Sequence, residues 1–300
     1  MGKEKPLLML VNPAAGRSTS HAALGSAVGT FCDAGYAPTV YFTTAPGAAV
    51  EMTERLAPGY ERMVCLGGDG TLSDTIAGLM RLPAERRPHL GYIPMGTAND
   101  VASTLGLPMR QPGRAVEKIL EGDGMPYDVG EMAGVGYFTY IAAFGAFTEV
   151  SYSTPQDQKR ALGHLAYVLQ GAAALGKIES YHTVVEYDDG VIEDELVYGS
   201  LSNSTSVAGI VRLDEKLVGL GDGMSELVLV KAPKNVADFG EIAESVLSQR
   251  YDSDKLLILH TKMARFHFDK PVPWTRDGEA GGMHKDVELC NYAAPIQFIF

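Results

Sequence analysis

The chain has 300 residues, and its 25 Lys and Arg against 37 Asp and Glu give a formal net charge of −12. Hydrophobic residues make up 46% of the chain and charged residues 21%, a balance typical of globular proteins rather than of disordered or fibrous ones. Negative charge is repelled by nucleic-acid phosphates and by anionic bilayers, which argues against a nucleic-acid partner and against adsorption to a membrane over the whole surface, so any contact with an anionic partner must be local. At roughly 150 residues per domain, the length predicts two domains.

Cysteine spacing and apolar runs indicate a reducing compartment. Cys32, Cys65 and Cys290 are odd in number, far apart and without CxxC or CxxH spacing, which excludes a disulfide scaffold and a zinc finger. The apolar run before Asn12 is too short for a signal peptide, and the uncharged stretch 161–176 is shorter than the roughly 20 residues that span a bilayer. We therefore expect a cytoplasmic protein.

The first hundred residues alternate short apolar runs, Gly-rich or Thr-rich loops and amphipathic stretches, the pattern of a parallel α/β sheet. It predicts strands at residues 7–11, 39–42, 63–66 and 90–94, and helices at residues 20–34, 48–56, 71–82 and 100–105. Ligands of such sheets bind at the carboxyl ends of the strands. The unusual glycine loops of the chain all follow predicted strands, so we expect the site there.

From about Asp128 the pattern changes to period-two alternation, which predicts antiparallel β structure with a hairpin turn at residues 188–190. An uncharged helix is predicted at residues 161–175, suited equally to a core or to an acyl-chain cleft, and an amphipathic one at residues 236–249. Apolar segments at residues 256–268 and 296–300 close the chain. The predicted domains are residues 1–130, α/β, and residues 131–300, rich in β structure.

The strongest local motif is the GGDGT of residues 67–71, where a predicted strand runs through glycines into a helix. Glycines let backbone N–H groups approach phosphate oxygens, and the helix N-terminus adds partial positive charge. Asp69 would be repelled by phosphates unless a cation lies between them, which indicates Mg²⁺. A tight turn with Asp69 as helix cap is the alternative that the motif alone leaves open.

A second loop, PMGTAND at residues 94–100, repeats the order of strand, turn and helix. Thr97 and Asn99 offer neutral hydrogen-bond donors, and Asp100 is placed to cap the next helix or to order water around a metal. The segments after the first two strands, with Asn12, Arg17 and Thr44, complete the predicted rim. Arg17 is suited to a nucleotide phosphate or simply to solvent.

These motifs carry a family resemblance. VNPAAGR at residues 11–17, GGDGT at residues 67–71 and PMGTANDVASTLGLP at residues 94–108 resemble the catalytic domain shared by diacylglycerol kinases, sphingosine kinases and bacterial lipid kinases. The resemblance continues through YDVG at residues 127–130, a Gly/Asp segment at residues 219–224 and TRDGEAGG at residues 275–282. GGDGT also occurs in NAD kinases, whereas the GTxND loop followed by Leu-Gly-Leu-Pro is more particular to lipid kinases.

The resemblance implies an ATP-dependent lipid kinase with a Rossmann-like α/β domain, a β-sandwich-like second domain and an active site in the cleft between them. It places ATP at the positions Asn12, Thr44, Gly67, Gly68, Asp69, Gly70, Thr71, Leu72, Ser73, Thr97 and Asn99. Asp69, Asp100 and Asp128 match acidic residues that organise the catalytic Mg²⁺. Gly219, Asp222 and Met224 match a structural Mg²⁺ site.

Catalysis is assigned by the same resemblance to Glu279 as general base, together with Asp69 and with Asp277 of the same DGE loop. Taken alone, that loop reads as a hairpin turn. The acceptor is expected to be the hydroxyl of diacylglycerol or a related lipid, reached by transient contact with a membrane surface, in phospholipid biosynthesis. The sequence leaves open whether the chain forms a homodimer. It also leaves open two alternative functions: a kinase of a small soluble acceptor such as NAD, and a nucleotide- or lipid-binding module without turnover.

Overall fold

A computed structural model of the chain describes residues 4–15, 20–97, 99–109, 111–145, 179–204, 206–207, 211–212, 219–248, 251 and 253–300. The chain divides into two compact units. The first contains residues 1–128 and 294–300, and the second contains residues 129–293. Each unit is described by itself.

The first unit alternates strands and helices. Its strands are β1 (Lys5–Val11), β2 (Tyr36–Phe42), β3 (Arg62–Gly67) and β4 (His89–Pro94). Its helices are α1 (Ser20–Asp33), α2 (Ala48–Leu56), α3 (Asp69–Met80), α4 (Asp100–Thr104) and α5 (Pro112–Glu121). The four strands and the first four helices lie where the sequence pattern predicts them, although α3 begins two residues earlier.

The four strands form a parallel sheet in the order β2-β1-β3-β4. Both faces of the middle strands are covered, so β1 and β3 read as continuous apolar runs: residues 7–11 and 63–67 are all buried. One face packs against Phe31 of α1 and Val116 of α5. Because the strands are parallel, the loops that follow them leave the sheet at one edge.

Helix α5 is absent from the sequence prediction. It begins at Pro112, and Gly113 lies in its first turn. Both residues read as loop formers in a sequence, yet proline is favoured at the first position of a helix because that N–H has no helical acceptor. The buried face of α5 is formed by Ala115, Val116 and Ile119, at helical spacing.

The second unit is predominantly strands, and it contains one described helix, α6 (Val236–Ser248). The strand bounds are β5 (Gly124–Met132), β6 (Gly136–Phe138), β7 (Ile141–Gly145), β8 (Tyr181–Tyr187), β9 (Gly190–Ser202), β10 (Ser206–Val207), β11 (Val211–Arg212), β12 (Ser225–Lys231), β13 (Leu256–Thr261), β14 (Met263–Arg276) and β15 (Glu279–Ile299).

Within this unit the strands pair in the order β13-β12-β9-β7-β14-β15, with β8 joining β9 and β14. These pairings are antiparallel, and Tyr187 pairs with Gly190 across the hairpin turn that the sequence predicts. An aromatic cluster fills one core: Phe144 packs against Phe266, Phe268 and Trp274 with ring centroids 4.8–5.7 Å apart. The mixed α/β class is therefore as predicted.

The chain passes between the units inside β5, after Asp128, and inside β15, after Ala293. The predicted boundary at residue 130 lies close to the first crossing. Residues 294–300 differ from the prediction, which assigned them to the second domain: Phe298 and Ile299 pair in parallel with Leu90 and Gly91 of β4. An apolar run at the end of a chain carries no sign of which sheet it will join, so sequence alone did not separate it.

Some predicted features lie outside the described residues, namely the helix at residues 161–175 and the loop residue Arg17. Within the residues that the structure does describe, no helix has both the length and the apolar character needed to cross a membrane.

Candidate active site

The loops after β1, β3 and β4 are joined by backbone hydrogen bonds at the carboxyl edge of the parallel sheet. The N–H of Asn12 donates to the Leu66 carbonyl at 2.9 Å, and the N–H of Met95 donates to the Gly67 carbonyl at 2.7 Å. The side chain of Asn12 also donates to the Thr71 hydroxyl at 2.9 Å. The three loops thus form one continuous edge, as the sequence predicts.

The first turn of α3 presents its backbone donors at this edge. Leu72 is the first residue of the helix whose N–H bonds within it, to the Gly68 carbonyl at 3.0 Å. The amides of residues 69–71 come earlier and have no acceptor inside the helix. Gly70 is exposed. This helix start has the donor geometry and partial charge that suit a phosphate group.

Asp69 belongs to the first glycine loop, and its carboxylate contacts the backbone that follows the second loop. Its Oδ1 accepts the N–H of Val101 at 3.4 Å, and the amides of Asn99 and Asp100 also donate to this carboxylate. Burial and the neighbouring charge of Asp100 together raise the pKa of Asp69 to about 6, against the opposing effect of these amides. A carboxylate that is costly to ionise next to another carboxylate is stabilised by a bound cation.

The second loop depends on Asn99, which is 2% exposed and adopts the left-handed conformation with φ 55°. Its side-chain oxygen accepts the N–H of Gly96, and its side-chain nitrogen donates to the Gly96 carbonyl, both at 2.9 Å. The side-chain amide group of Asn99 therefore holds the loop in its conformation. Its predicted contact with ATP stays a prediction.

A close backbone contact joins the two glycine loops. A Cβ atom added to Gly96 would lie 2.6 Å from the Cα of Gly68, closer than real Cβ contacts allow. Beneath this contact, the hydroxyl of Tyr92 on β4 lies 3.3 Å from both the Gly67 carbonyl and the Asn99 side-chain oxygen. Sequence reasoning missed Tyr92, because its position in an apolar strand reads as core.

The other residues predicted to bind the nucleotide differ in their exposure to solvent. Thr44 and Thr97 are exposed, and Ser73 is half-buried in α3. Leu72 is fully buried, so its side chain belongs to the core. The segment carrying Thr44 is held by Asp74, whose carboxylate accepts the N–H of Gly47 at 3.2 Å, a contact that the sequence did not predict.

The donor set suits Mg²⁺ rather than a transition metal. Among the described residues, no three His, Cys, Asp or Glu side chains come together as metal ligands. Asp69 and Asp100 are near enough that one charge raises the pKa of the other. Mg²⁺ characteristically binds one or two carboxylates and completes its shell with water and substrate phosphates. This pair fits that requirement.

Asp128 is fully buried in β5, and its Oδ1 accepts the N–H of Ala294 at 2.6 Å. It therefore joins the two chain segments at the boundary of the first unit. Ala294 adopts a left-handed φ of 46° at this contact. The predicted part of Asp128 in organising magnesium stays a prediction.

In the second unit, the DGE loop separates two acidic residues into different environments. Asp277 is 8% exposed, with a left-handed φ of 47°, and its carboxylate accepts the backbone N–H groups of Thr139, Tyr140 and Ile141 at 2.7–3.2 Å. Glu279 begins β15 and is exposed. The contacts of Asp277 orient the turn, whereas Glu279 is exposed, and its predicted part as general base stays a prediction.

The predicted structural-metal residues lie in a single turn. The Asp222 side chain accepts the N–H of Met224 at 2.9 Å, and the Asp222 N–H donates to the Gly219 carbonyl at 3.3 Å. A Cβ on Gly219 would collide with the Asp222 carboxylate. The turn brings these three residues together, and its metal stays a prediction.

Comparison with known proteins identifies the class of protein to which the chain is similar. The family model of the diacylglycerol kinase catalytic domain matches residues 6–132, the range that contains both glycine loops. A diacylglycerol kinase of Bacillus subtilis (strain 168) is 32% identical over 278 residues, covering 92% of this chain and 90% of the relative. One of Staphylococcus aureus (strain JH9) is 35% identical over 287 residues, covering 91% and 86%.

The chain belongs to the diacylglycerol kinase family. The predicted family and the predicted enzyme class, a lipid kinase, are confirmed at that level. A crystal structure of a diacylglycerol kinase from Bacillus anthracis strain Sterne shares the fold, with a TM-score of 0.75 and 24% identity, covering 100% of this chain and 98% of that one. This match also supports the mixed α/β class.

Proposed function

We propose that the protein transfers the γ-phosphate of ATP to the hydroxyl group of diacylglycerol or a related lipid. The observation that carries this proposal is the meeting of two glycine loops and the first turn of α3 around the partly buried Asp69 carboxylate, which accepts the N–H of Val101 directly after the second loop. Relatives that span about nine-tenths of the chain are named diacylglycerol kinases, which supports the choice of acceptor.

In this proposal the triphosphate lies at the carboxyl edge of the first, Rossmann-like unit. The backbone amides of residues 69–71 donate to phosphate oxygens, and the exposed hydroxyls of Thr44 and Thr97 add donors from neighbouring loops. Asn12 and Asn99 keep the loops in shape through their internal hydrogen bonds. This positioning provides much of what phosphoryl transfer requires of a protein.

Asp69 and Asp100 would hold Mg²⁺, with Asp128 contributing to the same network. When bound, the ion neutralises phosphate charge. In its absence, Asp69 and Asp100 repel each other, and the amides of residues 99–101 keep the Asp69 carboxylate oriented. Gly219, Asp222 and Met224 are proposed to hold a second, structural ion through one carboxylate and backbone carbonyls.

Glu279 is proposed to accept the proton of the lipid hydroxyl as the oxygen attacks phosphorus. A carboxylate is a weak base toward an alcohol, but proton transfer becomes favourable as the bond to phosphorus forms. Asp277 positions the loop that carries Glu279, because three backbone N–H groups hold its carboxylate.

The remaining parts of the proposal concern the acceptor. A β-sandwich-like second unit would receive the lipid during transient contact of a cytoplasmic protein with a membrane surface, in phospholipid biosynthesis. With a net charge of −12, such contact must be local rather than spread over the surface. A homodimer is compatible with this proposal, and a nucleic-acid partner forms no part of it.

The experiment is phosphate transfer from labelled ATP in the presence of Mg²⁺ to mixed micelles containing diacylglycerol, sphingosine or monoacylglycerol, with NAD as a soluble acceptor. We expect label in diacylglycerol or a similar lipid. In the Glu279→Gln variant we expect the rate to fall at least about 100-fold while ATP affinity is kept. Label in NAD alone, or in no acceptor, would overturn the proposal.

A further inference from the structure

The hydroxyl of Tyr92 is a buried polar group placed directly beneath the two glycine loops. The residue is 1% exposed and lies in β4, in the buried run of residues 90–94. Its oxygen lies 3.3 Å from the Gly67 carbonyl of the first loop and 3.3 Å from the Asn99 side-chain oxygen of the second. A single side chain therefore contacts both loops.

Neither acceptor depends on this hydroxyl for a partner. The Gly67 carbonyl also accepts the N–H of Met95 at 2.7 Å, and the Asn99 oxygen also accepts the N–H of Gly96 at 2.9 Å. A phenol has one proton to donate, so it bonds one of these two oxygens at a time. Removing the hydroxyl therefore leaves neither of these two acceptors without a donor.

The surroundings keep this phenol protonated. Burial is the largest effect, and the nearby charges of Asp69 and Asp100 act in the same direction, so the pKa of Tyr92 lies well above its usual value of 10. The hydroxyl is consequently a donor across the range in which enzymes work. The same charges show that Tyr92 lies close to the carboxylate pair proposed for Mg²⁺.

We propose that Tyr92 is a positioning residue for the nucleotide: its hydroxyl sets the spacing between the loop at residues 67–71 and the loop at residues 96–100. It acts through Asn99 and the Gly67 carbonyl. The inference rests on the proposed binding of ATP at these loops, and it adds a residue outside the glycine motifs to that site. Its effect belongs to the nucleotide and not to the lipid acceptor.

The test compares Tyr92→Phe with the full-length wild type. We expect the Kd for ATP·Mg²⁺, measured by calorimetry without lipid, to rise about five- to tenfold, because loops that have lost about one hydrogen bond must be brought to the binding spacing when ATP binds. The KM for ATP should rise by a similar factor, with kcat and the KM for lipid changed less than about twofold. Tyr36→Phe is the matched control: Tyr36 begins β2, which β1 and β3 separate from β4, and we expect unchanged ATP affinity.

A double-mutant cycle tests whether Tyr92 affects ATP binding through Asn99. Asn99→Gly keeps the left-handed backbone and removes the side chain, so Tyr92→Phe should weaken ATP binding less in that background than in wild type, by about threefold or more. This comparison holds even where the single variants lose stability. ATP affinity within about twofold of wild type in Tyr92→Phe, or equal effects in both backgrounds, would overturn the inference. Failure to phosphorylate any lipid would overturn the proposed function and leave this binding test intact.

Discussion

Asp277 and Glu279 are two residues apart, yet burial and hydrogen bonding give them different tasks. Three backbone N–H groups surround the Asp277 carboxylate, whereas Glu279 faces solvent. Both acids would read alike in a sequence, because DGE is a common turn. The difference arises from the segment at residues 139–141, which is more than 130 residues away in the chain.

Substitution by the isosteric amides should separate these roles. In Asp277→Asn, one amide group replaces an acceptor oxygen, so a buried N–H loses its partner and the free energy of unfolding should fall by about 1–3 kcal/mol. Glu279→Gln should change stability by less than about 0.5 kcal/mol while lowering the rate of phosphate transfer at least about 100-fold. Urea unfolding and the lipid kinase assay measure the two effects. Equal stability of both variants would contradict the role given to Asp277.

The raised pKa of Asp69 predicts a pH-dependent effect on stability. With a pKa of about 6 in the folded chain against 3.8 as its ordinary value, the folded form holds the proton more tightly, so stability falls as pH rises from about 4 to 6. Asp69→Asn removes this dependence. Without Mg²⁺, its stability relative to wild type should increase by about 2 kcal/mol between pH 4.5 and pH 7.5. Urea unfolding in EDTA at the two pH values is the measurement, and a constant difference would refute the shifted pKa.

Among the loops and helices, the contact between Gly68 and Gly96 is the most restrictive. A Cβ on Gly96 would lie 2.6 Å from backbone and 2.7 Å from the Asn99 side-chain oxygen, and both atoms are fixed in place. Gly68 and Gly96 are therefore needed because the two backbones approach each other closely, and not because either residue adopts a left-handed backbone angle.

Gly96→Ala should therefore separate the loops, lowering stability by about 1–3 kcal/mol and weakening ATP binding at least about tenfold. Gly113→Ala is the control, because a Cβ there has no heavy atom within 4 Å and lies in α5. That control should gain about 0.5–1 kcal/mol from helix propensity and keep ATP affinity. Thermal unfolding and calorimetry report both quantities; an equally tolerated Gly96→Ala would argue against the close contact.

The sequence predicted elements whose signals are local. Apolar runs and glycine loops located β1 to β4 and the helices that follow them, since each signal lies within one segment. Helix α5 was missed because Pro112 and Gly113 disguise its start. The loops of the candidate site, and Asp277 as a residue of the DGE loop, were predicted for the same reason. The hydrogen bonds of Tyr92, Asp74 and Asp277 join distant segments, so the sequence carries no local sign of them.

At the scale of the whole molecule, the first unit is completed by residues from the end of the sequence. Phe298 is fully buried, packs edge-on against Tyr127 with ring centroids 5.0 Å apart, and pairs with Leu90. Arg87 donates to the Pro295 carbonyl at 3.1 Å. These contacts make residues 294–300 a structural part of the first unit.

Phe298→Ala should cost about 3–5 kcal/mol of unfolding free energy, because a large buried ring is lost from a packed core. Phe300→Ala is the comparison: Phe300 is only half-buried, so we expect a loss below about 1.5 kcal/mol. Denaturant unfolding of the full chain distinguishes the two. Similar losses for both variants would contradict the anchoring of this segment in the first unit.

The return of residues 294–300 to the first unit has a consequence for biosynthesis. A ribosome that has made residue 128 has yet to make the segment that pairs with β4 and donates to Asp128, so until then the first unit has one strand edge uncovered. The second unit is contiguous in sequence and needs no later residues. We therefore expect the first unit to complete its folding last, although most of it is translated first.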